Sequence, residues 1–133
     1  MRYIIFLALL TCSTYALNNT FFIQRTEQEI DAINAIEILR EDVNPATVIT
    51  YFHPEFIYSS IGKLYFLIDF LEDIVYTKRF DPGTLVDISL EDKDIFHLEY
   101  VNGSILTHFH VLCEEDYRCL IFAGEEEKAG TAI

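Results

Sequence analysis

The spacing of apolar residues changes abruptly at Asp81-Pro82-Gly83, and this change restricts the fold class of the chain. Before this turn signal, apolar residues recur at the spacing of an amphipathic helix. After it, four stretches alternate between apolar and polar residues, as strands with one buried face do. These stretches cover residues 86–91, 95–101, 105–113 and 119–123. The sequence therefore predicts an α+β domain in which helices come first and an antiparallel sheet follows.

Three helices are expected before the turn. Thr26 and Glu29 form a capping box for a helix that continues to about residue 40. Asn44 is expected to cap a second helix, which begins at Pro45 and runs to about residue 52. The remaining predicted elements are a short strand over residues 56–58 and a long, buried helix over residues 63–76.

The turns between the later strands predict their register. Asn102-Gly103 is a favoured two-residue hairpin loop, which would place Val101 opposite Ser104 and His97 opposite His108. The same alternation predicts one buried face of the sheet. That face would contain Val86, Ile88, Leu90, Phe96, Leu98, Tyr100, Ile105, Phe109, Val111, Cys113, Cys119 and Ile121.

The first sixteen residues have the three-part pattern of a secretory signal peptide. Met1-Arg2 is basic, residues 4–10 are an apolar run too short to span a bilayer, and Ala16 ends the segment with a small residue. We therefore expect secretion to the extracellular space after cleavage of residues 1–16. The remaining organisation is an N-terminal segment over residues 17–25, a domain over 26–124 and a flexible acidic tail over 125–133.

Cysteine usage and sequons agree with secretion. After cleavage two cysteines remain, Cys113 and Cys119, and in an oxidising compartment they are expected to form a disulfide. Their spacing is neither a redox C-x-x-C motif nor part of a zinc-finger pattern. Asn18 and Asn102 begin Asn-x-Ser/Thr sequons, so we predict glycosylation at both, although Asn102-Gly103 also has the sequence of a tight turn.

The charge of the chain excludes two classes of partner. Its formal net charge of −13 would repel nucleic-acid phosphates and anionic membrane surfaces. The signal segment aside, no stretch approaches the roughly 20 apolar residues of a membrane-spanning helix. We therefore expect neither a nucleic-acid partner nor a membrane partner.

The order of these elements resembles the nuclear transport factor 2-like superfamily, in its small secreted members. The aromatic-rich stretch 51–58, Gly62 and the helix containing Phe70-Leu71 are similar to that family's helix, strand, glycine and helix pattern. The resemblance covers about residues 26–124 and implies a curved antiparallel sheet wrapped around three N-terminal helices in a cone. Cystatin-like and lipocalin folds fit less well, because the first has one main helix and a Q-x-V-x-G hairpin and the second has more strands.

The resemblance also limits the function. The family includes isomerases and dehydratases as well as binding modules, and in the isomerases an acidic base lies at the end of the strand matched by residues 56–58. This chain has Ser59 and Ser60 there, and a serine without a partner is no base near neutral pH. We therefore predict no catalytic residue and no cofactor, with a cone-cavity isomerase or dehydratase of a small apolar substrate as the alternative. The expected function is a non-enzymatic binding module for a small apolar ligand, contacted by Tyr51, Tyr58, Tyr65 and Phe66.

The opposite face of the sheet carries polar and apolar residues. His97, Glu99, His108 and His110 would lie near one another there, a combination that can hold zinc or copper. Without a recognised ligand spacing, we interpret them as a polar surface and predict no metal. Leu106, Leu112, Leu120 and Phe122 form an apolar patch on the same face, through which we expect a homodimer.

Overall fold

The computed structural model describes residues 27–41, 44–77, 80–114 and 118–128 of the 133-residue chain. The predicted signal peptide, the segment 17–25, Asn18 and the capping residue Thr26 lie outside the described residues. Among the described residues, no helix is long and apolar enough to cross a membrane.

The first two helices form where the sequence predicts them. Helix α1 covers residues 27–41 and buries Ala32, Ala35, Ile36 and Leu39, which recur every three or four residues. Helix α2, Pro45–Val48, begins at its predicted proline, and the Asn44 side chain accepts a hydrogen bond from the Ala46 amide at 3.1 Å. It ends earlier than predicted, because a 3-10 turn over Ile49–Tyr51 leads directly into a strand.

The third predicted helix is wrong in its first four residues. Lys63–Phe66 is strand β2, which pairs antiparallel with strand β1, Phe52–Ser60, across a turn containing Gly62 at φ +82°. The hairpin satisfies the backbone groups of Lys63–Phe66 between strands instead of within a helix. Helix α3 is only Leu67–Phe70, and it continues as a π-helical turn over Leu71–Val75.

One mixed sheet contains all six described strands. The strands after the Asp81-Pro82-Gly83 turn are β3 (Thr84–Asp92), β4 (Ile95–Asn102), β5 (Ile105–Leu112) and β6 (Leu120–Lys128). Their order across the sheet is β2-β1-β6-β5-β4-β3. Neighbours are antiparallel except β1 and β6, which run parallel. The α+β class is therefore confirmed, but the sheet is not purely antiparallel, and within the described part of the chain only the α-helices α1 and α2 precede it.

The β4–β5 register differs from the prediction by two residues. Asn102 pairs with Ile105, so the loop is Gly103-Ser104, with Gly103 at φ +60°. Asn102 is held as the last residue of β4 because its side-chain amide donates to the Asp81 carbonyl at 2.9 Å. A shift of two residues is one full strand repeat, so the two faces are preserved.

The last hairpin contains the predicted disulfide between Cys113 and Cys119. Beyond it, the predicted flexible tail is wrong for residues 125–128, because β6 continues to Lys128. These residues are ordered because β6 lies inside the sheet, paired with β5 on one side and β1 on the other. Residues 129–133 lie outside the described part of the chain.

The helices cover one face of the sheet, where aromatic residues dominate the core. Phe70 of α3 is fully buried against Phe52, Phe56, Tyr58 and Phe80. Two residues predicted for this core are exposed instead, Val86 at 55% and Leu90 at 42%. Both lie on the edge strand β3. The register shifts between Leu85 and Asp87, so Leu85 and not Val86 is opposite the buried Tyr100. Leu90 is opposite the buried Phe96, but β3 is the last strand of the sheet and leaves it exposed.

Candidate functional site

A cavity of about 320 Å³ lies on the helix-covered face of the sheet. We call it the Tyr58 cavity. Its lining residues are Tyr58, Ile74, Phe80, Asp81, Pro82, Asn102, Ile105, Thr107 and Glu126. The volume is at the lower end of the roughly 300–1,000 Å³ typical of small-molecule sites.

Tyr58 and Glu126 form the polar centre of the cavity. The Tyr58 hydroxyl donates to one carboxylate oxygen of Glu126, and the Ser60 hydroxyl donates to the other at 3.2 Å. Thr107, which is buried, is part of the same lining. Parallel pairing of β1 with β6 sets these residues side by side, because Ser59 is opposite Glu125 and Ser60 and Glu126 are the next residues of the two strands.

The environment of Tyr58 keeps its hydroxyl protonated. Burial raises the pKa of Tyr58 above its ordinary value, and the hydrogen bond to Glu126 and the charge of that carboxylate raise the pKa further. Tyr58 is thus a hydrogen-bond donor throughout the neutral range, and Glu126 is the acceptor.

Gly124 allows the Tyr58 ring to lie close to strand β6. A Cβ atom at this position would be 2.6 Å from Cδ1 of Tyr58 and 3.2 Å from Cδ1 of Phe109. The two rings stack with centroids 6.2 Å apart, directly over the glycine. A larger residue would displace the Tyr58 ring and, with it, the hydroxyl that reaches Glu126.

The rim of the cavity is tied to helix α1 and to strand β4. Arg40 of α1 donates to the Asp81 carboxylate at 3.1 Å and also to the Gly83 carbonyl. The Asp81 carboxylate accepts a hydrogen bond from the Gly83 amide at 3.1 Å. The Asp81 carbonyl accepts a hydrogen bond from the Asn102 side chain. These bonds hold residues 81–83 at the rim of the cavity.

Of the four predicted ligand contacts, only Tyr58 lines the Tyr58 cavity. Tyr65 packs against Tyr58, with 6.4 Å between the ring centroids. The Lys63 ammonium lies 4.6 Å from the centroid of the Tyr65 ring. Tyr51 lies under the Arg118 guanidinium, 5.7 Å away. Phe66 is 58% exposed. The structure therefore does not bring these four aromatic residues together.

Sequence reasoning missed Glu126 because it assigned residues 125–133 to a tail. In β6, Gly124 and Glu126 face the cavity side, while Glu125 and Glu127 approach histidines on the other face. Opposite His110 and Val111, strand β6 has one extra residue, Phe122, because Ala123 pairs with His110 and Ile121 pairs with Val111. Simple alternation counted from Ile121 therefore gives the wrong face for Glu126 and does not reveal it.

The outer face of the sheet carries the residues of the predicted dimer patch. Leu106, Leu112, Leu120 and Phe122 are each half-buried there. Homodimer formation through this face stays a prediction. Glycosylation of Asn102 also stays a prediction, and its side-chain nitrogen is the atom that donates to Asp81.

Tyr100 provides a comparison for the hydrogen bond of Tyr58. Tyr100 is fully buried, and among the described residues its hydroxyl has no hydrogen-bond partner. We expect Tyr58→Phe to lower the free energy of unfolding by about 1–3 kcal/mol, because Glu126 loses a donor. Tyr100→Phe should be neutral or stabilising by up to about 1 kcal/mol, since it removes an unpaired buried hydroxyl. Urea denaturation measures both, and equal losses for the two variants would contradict the assigned bonds.

Comparison with known proteins shows similarity of fold. The chain matches no protein-family model and no curated protein. It is similar to a de novo designed protein with a curved β-sheet, with 16% identity, a TM-score of 0.53, and coverage of 74% of this chain and 98% of the design. It is also similar to the design Rd1NTF2_04 with long sheet, with 13% identity, a TM-score of 0.52 and the same two coverages. These matches support a nuclear transport factor 2-like fold for this α+β chain.

Proposed function

We propose that the protein is a secreted, non-enzymatic binding module whose Tyr58 cavity holds a small ligand with an apolar body and a hydrogen-bond donor. The observation that carries the proposal is the Glu126 carboxylate inside the cavity, held by Tyr58 and Ser60. A carboxylate oxygen has two lone pairs, so each oxygen of Glu126 retains capacity to accept from a ligand. A cationic amine is the donor that this carboxylate favours most.

The rest of the cavity suits the apolar part of such a ligand. Ile74, Phe80, Pro82 and Ile105 contribute apolar surface around the polar centre. Asp81, the second acidic residue of the lining, is already paired with Arg40. Glu126 is therefore the group that we expect to orient the ligand, and burial of its apolar body would supply about 25 cal/mol per Å² before association costs.

Binding is favoured over catalysis by the protonation of Tyr58. An efficient general acid or base has a pKa near the working pH. Burial and Glu126 move the pKa of Tyr58 upward, away from neutrality, so this phenol holds its proton and positions Glu126. The arrangement is that of a fixed hydrogen-bonding site.

Secretion is part of the proposal. It is supported by the signal-like pattern of residues 1–16 and by the Cys113–Cys119 disulfide, a bond typical of oxidising compartments. Neither a nucleic acid nor a membrane is proposed as a partner, in keeping with the net charge of −13.

The proposal can be tested by isothermal titration calorimetry with hexylammonium and hexanoate, which share an apolar chain and differ in charge. We expect hexylammonium to bind more tightly by about tenfold or more, since a hydrogen bond to a charged group contributes about 1.5–3 kcal/mol. Glu126→Gln should remove most of this preference. Glu125→Gln, one residue away on the other face, is the matched control and should retain it.

Two results would overturn this assignment. Equal affinity of the wild type for the two ions would show that Glu126 does not select the ligand. A preference that survives in Glu126→Gln and disappears in Glu125→Gln would place the ligand on the outer face. Circular dichroism of each variant confirms that it is folded before the titration.

An isomerase or dehydratase acting on a small apolar substrate is the second candidate function. It is favoured by one observation, the presence of a carboxylate beside Tyr58 although the end of β1 carries Ser59 and Ser60 and no acid. Glu126 would then be the base. A binding module releases its ligand unchanged and an enzyme releases a product, so NMR of the recovered ligand distinguishes the two functions.

A further inference from the structure

Three histidines and a glutamate lie together on the outer face of the sheet, opposite the helices. We call His97, Glu99, His108 and His110 the outer-face cluster. In the register of β4 and β5, His97 is opposite His110 and Glu99 is opposite His108. The His97 ring stacks on both other imidazoles, with centroids 4.9 Å from His108 and 5.2 Å from His110.

Three potential ligand atoms of the cluster converge. Nε2 of His97 is 2.8 Å from Nδ1 of His108, which is 3.6 Å from a carboxylate oxygen of Glu99. All three atoms lie within 4.8 Å of one another. In a tetrahedral zinc site with bonds of about 2.0–2.1 Å, neighbouring ligand atoms are roughly 3.3 Å apart. Side-chain adjustments of about 1 Å would therefore bring these atoms to ligand spacing.

A carboxylate behind His108 fixes which ring nitrogen is available. Nε2 of His108 lies 2.8 Å from a Glu127 oxygen, so this nitrogen carries the proton and donates it to the carboxylate. Nδ1 of His108 consequently presents a lone pair toward His97 and Glu99. A ligand histidine backed by a carboxylate is the usual arrangement of protein metal sites, where the carboxylate orients the ring and raises its basicity.

The cluster is also partly shielded and built on strands. The His108 side chain is 12% exposed and that of Glu99 is 29% exposed. Both strands lie inside the sheet, between β3 and β6, which limits the movement of their backbones. A site on rigid elements holds its ligands with less loss of conformational entropy than a site on loops.

We propose that the outer-face cluster binds one divalent transition-metal ion through His97 Nε2, His108 Nδ1 and a Glu99 carboxylate oxygen. Two imidazoles and one carboxylate suit zinc, whereas calcium and magnesium prefer oxygen ligands alone. Three protein ligands leave the fourth tetrahedral position to water. Without the ion, His97 Nε2–H donates to His108 Nδ1. On binding, His97 releases that proton to solvent and its Nδ1 takes one up, so the ring stays neutral.

This site is separate from the Tyr58 cavity, because the two lie on opposite faces of the sheet. The proposed function does not depend on the ion, and the ion does not depend on the proposed ligand. The prediction of no metal from the sequence rested on the lack of a recognised spacing along the chain. The three ligand residues come from two neighbouring strands, β4 and β5. The carboxylate that orients His108 belongs to Glu127 on a third strand, β6.

The proposal is tested with tag-free, metal-stripped protein titrated with Zn²⁺ by calorimetry and with Co²⁺ by visible absorption. We expect one equivalent of Zn²⁺ per chain and the intense absorption of four-coordinate Co²⁺. His97→Gln and His108→Gln should each weaken Zn²⁺ binding at least tenfold and abolish the Co²⁺ spectrum. His53→Gln, which changes a histidine outside the cluster, is the matched control and should leave both unchanged.

Glu127→Gln provides a variant that does not endanger the fold, because its side chain is 57% exposed. Loss of this supporting carboxylate should weaken Zn²⁺ binding by about tenfold or more. The proposal is overturned if wild type binds no tighter than His97→Gln, if Co²⁺ gives only the weak spectrum of an octahedral ion, or if His53→Gln weakens binding as much as the cluster variants. If a histidine variant does not fold, the result with Glu127→Gln decides.

Discussion

Phe70→Ala is expected to lower the free energy of unfolding by about 3–5 kcal/mol, the range for removing a fully buried phenylalanine. The Phe70 ring lies within 6.2 Å, between centroids, of four other aromatic rings. The nearest is Tyr58, at 4.6 Å. The loss would therefore leave a cavity where α3 meets the sheet and would release the ring that carries the Tyr58 hydroxyl. Guanidinium denaturation measures the change.

Phe66→Ala is the matched control for this variant. It removes the same side chain from a position four residues earlier that is 58% exposed. Surface substitutions of this kind usually change stability by about 0.5 kcal/mol or less. A loss for Phe66→Ala as large as that for Phe70→Ala would show that residues 63–70 form the continuous buried helix that their periodicity predicts.

Gly83→Ala is expected to lower stability by about 2–6 kcal/mol, which combines backbone strain with a steric clash. Gly83 has φ +91°, a conformation that residues with a Cβ rarely adopt. A Cβ here would be 1.9 Å from the Val101 carbonyl oxygen. This oxygen belongs to β4 and cannot move without disturbing the β3–β4 pairing, so the substitution should also open the rim of the Tyr58 cavity.

Gly103→Ala separates the two contributions. Gly103 has φ +60°, and a Cβ there would have no atom within 4 Å. Only the strain of the left-handed conformation remains, about 1–2 kcal/mol. Chemical denaturation of both variants should show a clearly larger loss for Gly83→Ala, whereas equal losses would mean that Gly83 does not approach β4 as described.

The sequence predicted the elements with strong local signals. The proline and asparagine at the start of α2, the presence of four strands after the Asp81-Pro82-Gly83 turn and the disulfide were all confirmed. In each case the residues that determine the structure are close together in the chain. Interactions between residues that are close in sequence were therefore sufficient to predict these elements.

The errors occurred where distant pairing decides the structure. The apolar residues of 63–66 also fit a helix, and only their pairing with β1 makes them a strand. The register of β4 and β5 moved by two residues because the Asn102 side chain bonds to Asp81, 21 residues away. Residues 125–128 are charged and resemble a tail, yet they belong to β6 because all four pair with β5 and Glu125 also pairs with β1. None of these interactions has a local sequence pattern.

The candidate site was the least predictable part for the same reason. Tyr58 could be proposed from the strand in which it lies, but its partner Glu126 is 68 residues away. The acid missing from the end of β1 suggested that the cavity lacks a carboxylate. The structure instead places the carboxylate of Glu126 in the cavity, and Glu126 lies on β6, the strand next to β1. A carboxylate can thus be present in the site although serines occupy the position in the sequence where an acid was expected.

The central claim, that the Tyr58 cavity binds a small ligand through Glu126, is tested most directly by NMR mapping of hexylammonium on the ¹⁵N-labelled protein. We expect the largest amide shift changes at Ile105, Thr107 and Glu126, and much smaller changes at Ile105 and Thr107 in Glu126→Gln at the same ligand concentration. Shift changes concentrated around Leu112 and Phe122 on the outer face, or none at saturating ligand, would contradict the claim.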